Sequence, residues 1–192
     1  MADIKNTFWL DVKQTALLVV DVQEKLVPAM NQGLYRCLLQ NVPLLIEGCK
    51  SLGVPIITTE QYPKGLGHTI AELEGAAQEQ CIEKLTFSCC GDEGFVAALQ
   101  KTGANQVIVV GMETHVCVLQ TVIDLLDQGY GVHLVRDAVS SRFVSDYASA
   151  LDLAAAAGAV ITTTETALFQ LVKVAGTDEF KGISRLVRQR TE

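Results

Sequence analysis

The sequence predicts an α/β fold: a three-layer α/β/α sandwich around a mainly parallel, six-stranded, Rossmann-like sheet. Short runs rich in β-branched residues alternate with longer segments of helical spacing, which is typical of βαβ units. The runs are almost continuously apolar, as expected for strands that helices cover on both faces. The chain has 192 residues, 49% of them hydrophobic, which is enough to build a substantial buried core.

We expect the entire chain, 1–192, to form one domain. Its core is predicted at about 15–172, and a helical tail is predicted at 176–192. Neither an internal repeat nor a linker or low-complexity segment divides the sequence. This length is typical of a single enzyme-sized domain.

The predicted strands are spread along the chain, with helical segments between most of them. The strands are ALLVVDV (16–22), VPIITTE (54–60), a weaker CIEKLTF (81–87), QVIVVG (106–111), GVHLVRD (131–137) and AVITTTE (159–165). The helices are LYRCLLQNVPLLIEGCKSLG, DEGFVAALQKTG, HVCVLQTVIDLLDQG, SDYASALDLAAAAGA, TETALFQLVKVAG and the basic tail. Pro43 is expected to kink the first helix or to mark its start, and a Ser-Asp cap is expected to begin the fourth.

Charge and cysteine content exclude several classes of function. The formal charge of −7 and the isoelectric point near 5.0 oppose nonspecific nucleic-acid binding. Small molecules or further subunits are therefore the expected partners. No apolar run approaches the roughly 20 residues that a membrane helix needs, and the N-terminus lacks the pattern of a signal peptide. The six cysteines are irregularly spaced, so we expect reduced thiols and a cytoplasmic location.

Four polar groups lie at or near the ends of predicted strands. Asp21 ends the first apolar run, Glu60 ends the second, Lys84 lies within the third, and the METHVC turn (112–117) follows the fourth. Open parallel sheets bind ligands beyond the carboxyl ends of their strands, which meet at one edge. The sequence therefore predicts that these distant residues share one site.

Cys117 lies where a buried strand gives way to a helix. The unpaired N–H groups and dipole of a helix N-terminus would lower the pKa of its thiol below the ordinary value of about 8.5 and favour a nucleophile. A small buried apolar residue is the competing interpretation, and the residues alone leave both open. His115 is two residues away, a spacing that directs helical side chains to different faces, so a solvent or supporting role is favoured for it.

Asp21 and Lys84 are each ambiguous by themselves. A carboxylate at the end of a buried strand costs several kcal/mol unless it is paired, so Asp21 could cap a helix or form a structural ion pair. Beside a thiol it could instead accept the thiol proton. A lysine in a weak strand is usually an exposed edge charge. Beside Asp21 and Cys117, however, Lys84 would orient the carboxylate and favour the thiolate.

The sequence predicts neither a cofactor nor a metal ion. GMETHVC lacks the G-x-G-x-x-G pattern of a dinucleotide site, and PKGLGH is a poor phosphate-binding signature. Glu60, Tyr62 and His68 could be considered as metal ligands. A tyrosine ligand is uncommon and no second histidine is nearby, so a solvated loop is the favoured interpretation.

Four segments, taken in order, resemble one known family. They are ALLVVDVQEKL with Asp21, TTEQYPKGLG, EKLTFSC with Lys84, and VGMETHVCVLQTVIDLLDQGYGVHLVRDAVSSR with Cys117. Together they resemble the isochorismatase-like cysteine hydrolase superfamily, most closely the branch called isochorismatase domain-containing proteins. The resemblance covers 15–172. Each segment is weak alone, but their order and spacing are specific.

The resemblance implies roles for these residues. Asp21 would be the general base, Lys84 its electrostatic partner and Cys117 the nucleophile. The bond between Met112 and Glu113 would be cis, and the backbone N–H groups of Glu113 and Cys117 would form an oxyanion hole. The implied reaction is hydrolysis of a small amide or related C–N bond through a thioester.

Two departures from family patterns refine this expectation. Nicotinamidases carry an Asp-x-His-Pro metal motif with a later histidine, whereas this chain has Glu60-Gln61-Tyr62-Pro63 and His68, which argues against metal binding and nicotinamide specificity. True isochorismatases, which cleave a vinyl ether, lack the cysteine that is present here as Cys117, so its presence argues against that reaction.

Other expectations and competing functions follow from the same residues. Gln23, Leu26 and Tyr62 are predicted to line the substrate pocket. The Ala-rich helix and the family resemblance predict a homo-oligomer, a dimer or larger. A noncatalytic oligomeric scaffold is the alternative function, and a thiol redox sensor is a third.

Overall fold

A computed structural model describes residues 4–77 and 80–190, and six strands form one sheet within these ranges. The strands are β1 (Thr15–Val20), β2 (Ile56–Gln61), β3 (Cys81–Lys84), β4 (Gln106–Met112), β5 (Gly131–Ser140) and β6 (Val160–Thr162). The helices are α1 (Ile4–Phe8), α2 (Gln32–Leu52), α3 (Pro63–Leu66), α4 (Glu74–Ala77), α5 (Glu93–Thr102), α6 (Leu119–Asp127), α7 (Val144–Ala157), α8 (Thr164–Val172) and α9 (Asp178–Val187). A π-helical turn at Thr114–Val118 leads directly into α6.

The sheet confirms the predicted fold class. Its strand order is β3-β2-β1-β4-β5-β6, and every neighbouring pair is parallel. The first strand, β1, lies in the middle of the sheet. Strands β2 and β3 follow on one side and β4 to β6 on the other, so the direction of strand order reverses between β1 and β4. In doubly wound sheets the crevice at this reversal, beyond the carboxyl ends of the strands, is where ligands bind.

Alternate residues of β1 show how the sheet supports two helical layers. Leu17 and Val19 belong to a core that includes residues of α2, α8 and α9. Leu18 and Val20 belong to a second core that includes residues of α5, α6 and α7. All four side chains are buried, which explains why the strand is apolar throughout. The three layers follow from this double burial.

Helix starts and strand ends differ from the predictions in specific places. Helix α2 begins at Gln32 because the Asn31 side chain caps it, so Pro43 lies inside the helix and does not mark its start. The predicted Ser-Asp cap of α7 is wrong, since Phe143 is the N-cap and caps through no side-chain hydrogen bond. Strand β5 continues beyond the polar Asp137, whose carboxylate accepts a hydrogen bond from the N–H of Thr164 at 2.8 Å.

Gly111 allows β1 and β4 to approach each other just before the site. It pairs with Val20 across the two strands and has a φ of +117°. A Cβ at this position would lie 2.1 Å from the carbonyl oxygen of Val20. Both the backbone conformation and the close approach therefore require glycine.

In the described part of the chain, every helix is too short or too polar to cross a bilayer.

We predict that Gly111→Ala destabilises the protein by about 3 kcal/mol, because the new methyl group meets backbone and the φ is unfavourable for alanine. Urea unfolding measures this loss. Gly182→Ala in α9 is the matched control, since its Cβ would meet nothing within 4 Å and alanine is the better helix former. Equal stability of the two variants would contradict the packing account.

Candidate active site

The candidate site lies at the reversal of strand order between β1 and β4. Asp21 directly follows β1, and Lys84 is the last residue of β3. Cys117 lies in the π-helical turn after β4. Asp21 has a φ of +48°, in the left-handed region that few residues other than glycine adopt. This conformation turns the chain sharply at the end of β1, and residues held this way cluster at functional sites.

Asp21 and Lys84 form an ion pair inside the protein. The Lys84 Nζ donates to Asp21 Oδ2 at 2.6 Å, and neither side chain has any solvent exposure. The Thr59 hydroxyl donates to the other carboxylate oxygen at 2.7 Å. Burial is the largest single effect and would lower the pKa of Lys84. The attractions of the groups around the ammonium, with the charge of Asp21 first among them, together outweigh burial, so the pKa is raised and the ammonium is retained.

Cys117 is a buried thiol beside this pair. Burial is the main cause that raises its pKa, the charge of Asp21 adds to the rise, and Lys84 opposes it. Interaction of the thiol with the Asp21 side chain is a smaller contribution in the same direction. The expectation of a thiolate stabilised by a helix terminus is therefore wrong in direction. In the resting protein the thiol keeps its proton and has an acceptor for it nearby.

The turn before Cys117 begins at a cis peptide bond between Met112 and Glu113. The carbonyl oxygen of Glu113 accepts from the N–H groups of Val116 and Val118 at 3.1 and 3.2 Å, which closes the turn. The Glu113 carboxylate, which is mostly buried, accepts from Arg142 Nε at 2.9 Å. The turn is thus anchored at both its backbone and its side chain.

His115 contacts the segment after β5. Its Nδ1 lies 3.0 Å from the Ser141 hydroxyl, and its Nε2 lies 3.7 Å from an Asp146 carboxylate oxygen. A solvent or supporting role for His115 stays a prediction.

Cys89 is a second buried thiol near the ion pair, and sequence reasoning did not assign it to the site. Its Sγ lies 3.7 Å from the Thr59 hydroxyl that bonds Asp21, and its N–H donates to Thr121 Oγ1 at 2.9 Å. The Thr121 hydroxyl donates in turn to the carbonyl of Cys117 at 2.6 Å. The pKa of Cys89 is raised to about 11 by burial. Cys89 ends the segment EKLTFSC, but nothing in that segment marks its thiol as part of the site, because a turn outside the strands places it here.

The family model described as the isochorismatase domain matches residues 15–166 of the chain. The chain belongs to the isochorismatase family. This family contains hydrolases, so its membership supports hydrolase chemistry for the site.

Relatives of known sequence agree with this membership. The chain is 39% identical to isochorismatase family protein 1A of Dictyostelium discoideum over 194 residues, covering 98% of this chain and 93% of the relative. It is 37% identical to isochorismatase domain-containing protein 1 of Salmo salar over 174 residues, covering 91% of this chain. The match spans 61% of the length of that salmon protein.

Solved structures of the isochorismatase fold superpose closely. A structure described as MAR1 ribonuclease from Caenorhabditis elegans has a TM-score of 0.87 and 40% sequence identity, covering 94% of this chain and 92% of that one. The YcaC gene product from Escherichia coli, described as an octameric hydrolase of unknown specificity, has a TM-score of 0.84 and 26% identity. It covers 93% of this chain and 88% of its own.

The position that carries a metal motif in nicotinamidases is occupied differently in this isochorismatase-family chain. One oxygen of the buried Glu60 carboxylate accepts from the N–H and hydroxyl of Thr69 at 2.6 and 2.8 Å. The other lies 3.0 Å from His68 Nδ1. Among the described residues, no group of three or more His, Cys, Asp or Glu could hold a metal ion. These residues do not fit a metal site, because Glu60 instead holds the loop after β2.

The three residues predicted to line the substrate pocket differ in burial and in contacts, and one of them, Tyr62, lines a cavity. Gln23 is fully buried, and its amide bonds backbone groups of Gln61 and Gly67. Leu26 packs against a hydrophobic core. Tyr62 is half exposed and faces a cavity of about 510 Å³, whose lining also includes Pro63, Lys64, Glu83, Lys84, Leu85, Thr86 and Asp92. This cavity adjoins the ion pair through Lys84, but neither Asp21 nor Cys117 lines it.

We predict that Lys84→Met costs about 3–5 kcal/mol of stability, because it leaves the buried Asp21 carboxylate without its cation. The double variant Asp21→Asn/Lys84→Met should recover more than half of this loss. Urea unfolding of the four proteins in the cycle measures the coupling. Lys173→Met is the control, since its ion pair with Asp11 is partly exposed and should cost at most about 1 kcal/mol. Additive losses in the cycle would show that the pair is not coupled.

The contacts of the Glu60 carboxylate with Thr69 and His68, here called the Glu60 clamp, predict a pH dependence of stability. Burial alone would raise the pKa of Glu60, but hydrogen bonds from Thr69 and His68 outweigh it and lower the pKa below the ordinary 4.5. The clamp therefore contributes stability above pH 4.5, and this is lost as pH falls through the lowered pKa. Urea midpoints of wild type and Glu60→Gln, measured from pH 7 to pH 3, should converge in acid. A difference in urea midpoint that stays constant from pH 7 to pH 3 would contradict this role of Glu60.

Proposed function

We propose that this protein is a cysteine hydrolase that cleaves a small amide or related C–N bond through a thioester, without a metal ion. The observation that carries the proposal is the buried Asp21–Lys84 pair with the protonated Cys117 thiol beside it. A nucleophile, a proton acceptor and a fixed positive charge are thereby combined in a site shielded from water.

Acylation starts with transfer of the Cys117 proton to Asp21. Each Asp21 oxygen accepts one hydrogen bond from Thr59 or Lys84 and keeps a lone pair for another donor. As the proton moves, Sγ attacks the carbonyl carbon and forms the C–S bond. The C–N bond then breaks, and Asp21 returns the proton to the leaving nitrogen. Lys84 stabilises the negative charge while it is shared between sulfur and carboxylate.

The oxyanion of the tetrahedral intermediate would be bound by the backbone N–H groups of Glu113 and Cys117. The Glu113 carbonyl accepts from the N–H groups of Val116 and Val118, which fixes the turn that carries both donors. Backbone donors held in place before the reaction stabilise developing charge without reorganisation.

Deacylation reverses these roles with water as the nucleophile. Asp21 takes a proton from water as the water oxygen attacks the thioester carbon. The C–S bond breaks, Asp21 returns the proton to Sγ, and the carboxylic acid product leaves. Neither acylation nor deacylation changes an oxidation state, so the proposed reaction needs no redox partner or cofactor.

The remaining expectations are part of the same proposal. The chain, 1–192, is one hydrolase domain that acts in the cytoplasm on a small molecule rather than on nucleic acid. It assembles as a homo-oligomer of two or more copies. The octameric E. coli relative supports assembly, as do Phe143, Val144 and Leu153, large hydrophobic residues that are exposed at or near α7.

Two other functions are alternatives to this proposal. The Caenorhabditis elegans relative is described as a ribonuclease, so RNA cleavage is a second candidate. The net charge of −7 opposes it, because phosphate contacts need clustered cations. A noncatalytic oligomeric scaffold that retains the fold is the alternative to any enzyme.

We predict that a screen of small amides and ureides finds hydrolysis that falls about 10⁴-fold in Cys117→Ala, because the nucleophile is lost. Acid-quenched turnover, examined by intact-protein mass spectrometry, should show the acyl group on Cys117. Single-stranded RNA belongs in the same screen.

The matched control is Cys37→Ala, which removes an exposed cysteine outside the site and should leave turnover unchanged. RNA cleavage that requires Cys117 would favour the ribonuclease. Amide hydrolysis that persists in Cys117→Ala would exclude the thioester route. No hydrolysis of any probe by wild type would favour the scaffold.

A further inference from the structure

Gln61 is a buried glutamine beside the catalytic pair that the mechanism above does not use. It is the last residue of β2, and the register of the sheet pairs it directly with Lys84 of β3. Its position places a neutral side chain between the strand end and the Lys84 ammonium.

Both ends of the Gln61 amide have a partner. Oε1 accepts from Lys84 Nζ at 2.9 Å, and Nε2 donates to the carbonyl of Leu85 at 2.8 Å. A flipped amide would place its oxygen against a carbonyl and its NH₂ against an ammonium, so only one orientation fits. Gln61 therefore holds the Lys84 side chain and the chain directly after it.

The backbone of Gln61 is itself held by a second buried glutamine. Gln23 Oε1 accepts from the Gln61 N–H at 2.8 Å, and Gln23 Nε2 donates to the Gln61 carbonyl at 3.0 Å. The same Nε2 donates to the carbonyl of Gly67 at 2.7 Å. This network connects the segments after β1 and β2 to Lys84. Gln61 therefore cannot move without breaking hydrogen bonds to Gln23.

Four acceptors surround the Lys84 ammonium, which has three protons to donate. They are Asp21 Oδ2 at 2.6 Å, Gln61 Oε1 at 2.9 Å, the Phe87 carbonyl at 3.1 Å and the Thr86 carbonyl at 3.2 Å. Lys84 therefore has no free proton for a substrate, and its contribution is its charge. Only Asp21 among the four acceptors is an anion, so that charge is directed to the carboxylate.

A carboxylate at position 61 would change this balance. Asp21 and Lys84 together are neutral, and the amide of Gln61 adds no charge. A second anion would share the lysine between two carboxylates in a buried region. Glutamine supplies the acceptor without that competition.

We infer that Gln61 is a positioning residue, which holds the Lys84 ammonium on Asp21 as a neutral acceptor and so keeps its charge directed at the proton-transfer pair. The functional meaning of this role rests on the proposed hydrolase mechanism. The geometric role can be tested without any substrate.

The test is the hydrogen exchange of the Lys84 ammonium, followed by NMR of protein labelled with ¹⁵N-lysine. Exchange with water requires the N–H groups to leave their acceptors. Gln61→Met has a similar length but removes the acceptor, and we expect it to speed this exchange at least tenfold. Gln61→Glu keeps an acceptor oxygen at the same place and should exchange as slowly as wild type, even though its charge competes with Asp21 for the lysine. Gln100→Met, at an exposed position in α5, should leave the rate unchanged.

An exchange rate in a folded Gln61→Met protein that stays within twofold of wild type would overturn the inference. If that variant does not fold, Gln61→Asn replaces it, since its amide is polar but one methylene too short to reach Lys84. Equal exchange in wild type and Gln61→Asn would likewise overturn it. Because this readout needs no turnover, a protein that hydrolyses nothing could still confirm the position of Lys84.

Discussion

The buried ion pair between Asp21 and Lys84 is the interaction on which the site depends. Two charges without solvent exposure are tolerated only when each is paired and hydrogen-bonded. Thr59 supplies the second hydrogen bond to the carboxylate. Gln61 and two backbone carbonyls accept the other hydrogen bonds of the ammonium. The ends of the strands are thus held together by the ion pair as well as by the sheet. A shift of any one of them would leave a buried charge without its partner.

The pair also determines how Cys117 can react. A thiol in a buried place beside a carboxylate loses its proton reluctantly, and the raised pKa expresses that. The proposed mechanism therefore activates Cys117 by transfer of its proton to Asp21 during attack, rather than through a thiolate formed in advance. Gly111 lets β4 approach β1 closely, and the turn that carries Cys117 begins at the cis peptide directly after β4.

Much of the fold was predictable, because apolar runs and helical spacing reflect burial on the two faces of a sheet. The meeting of Asp21 with Lys84 followed from the topology, since parallel strands end at one edge. The direction of the Cys117 pKa shift was not predictable, because it depends on burial and on a neighbour from another strand. Gln61 and Cys89 were missed for the same reason: their contacts cross between segments, and no local spacing marks them.

The ionisation state of Cys117 in the resting protein tests this account most directly. The chemical shift of the Cys117 ¹³Cβ distinguishes thiol from thiolate, and Cys117→Ala assigns the signal. We predict that Cys117 is a thiol and that it does not titrate between pH 6 and pH 9. A thiolate at pH 7 would contradict it, because Asp21 would then have no proton to receive from Cys117.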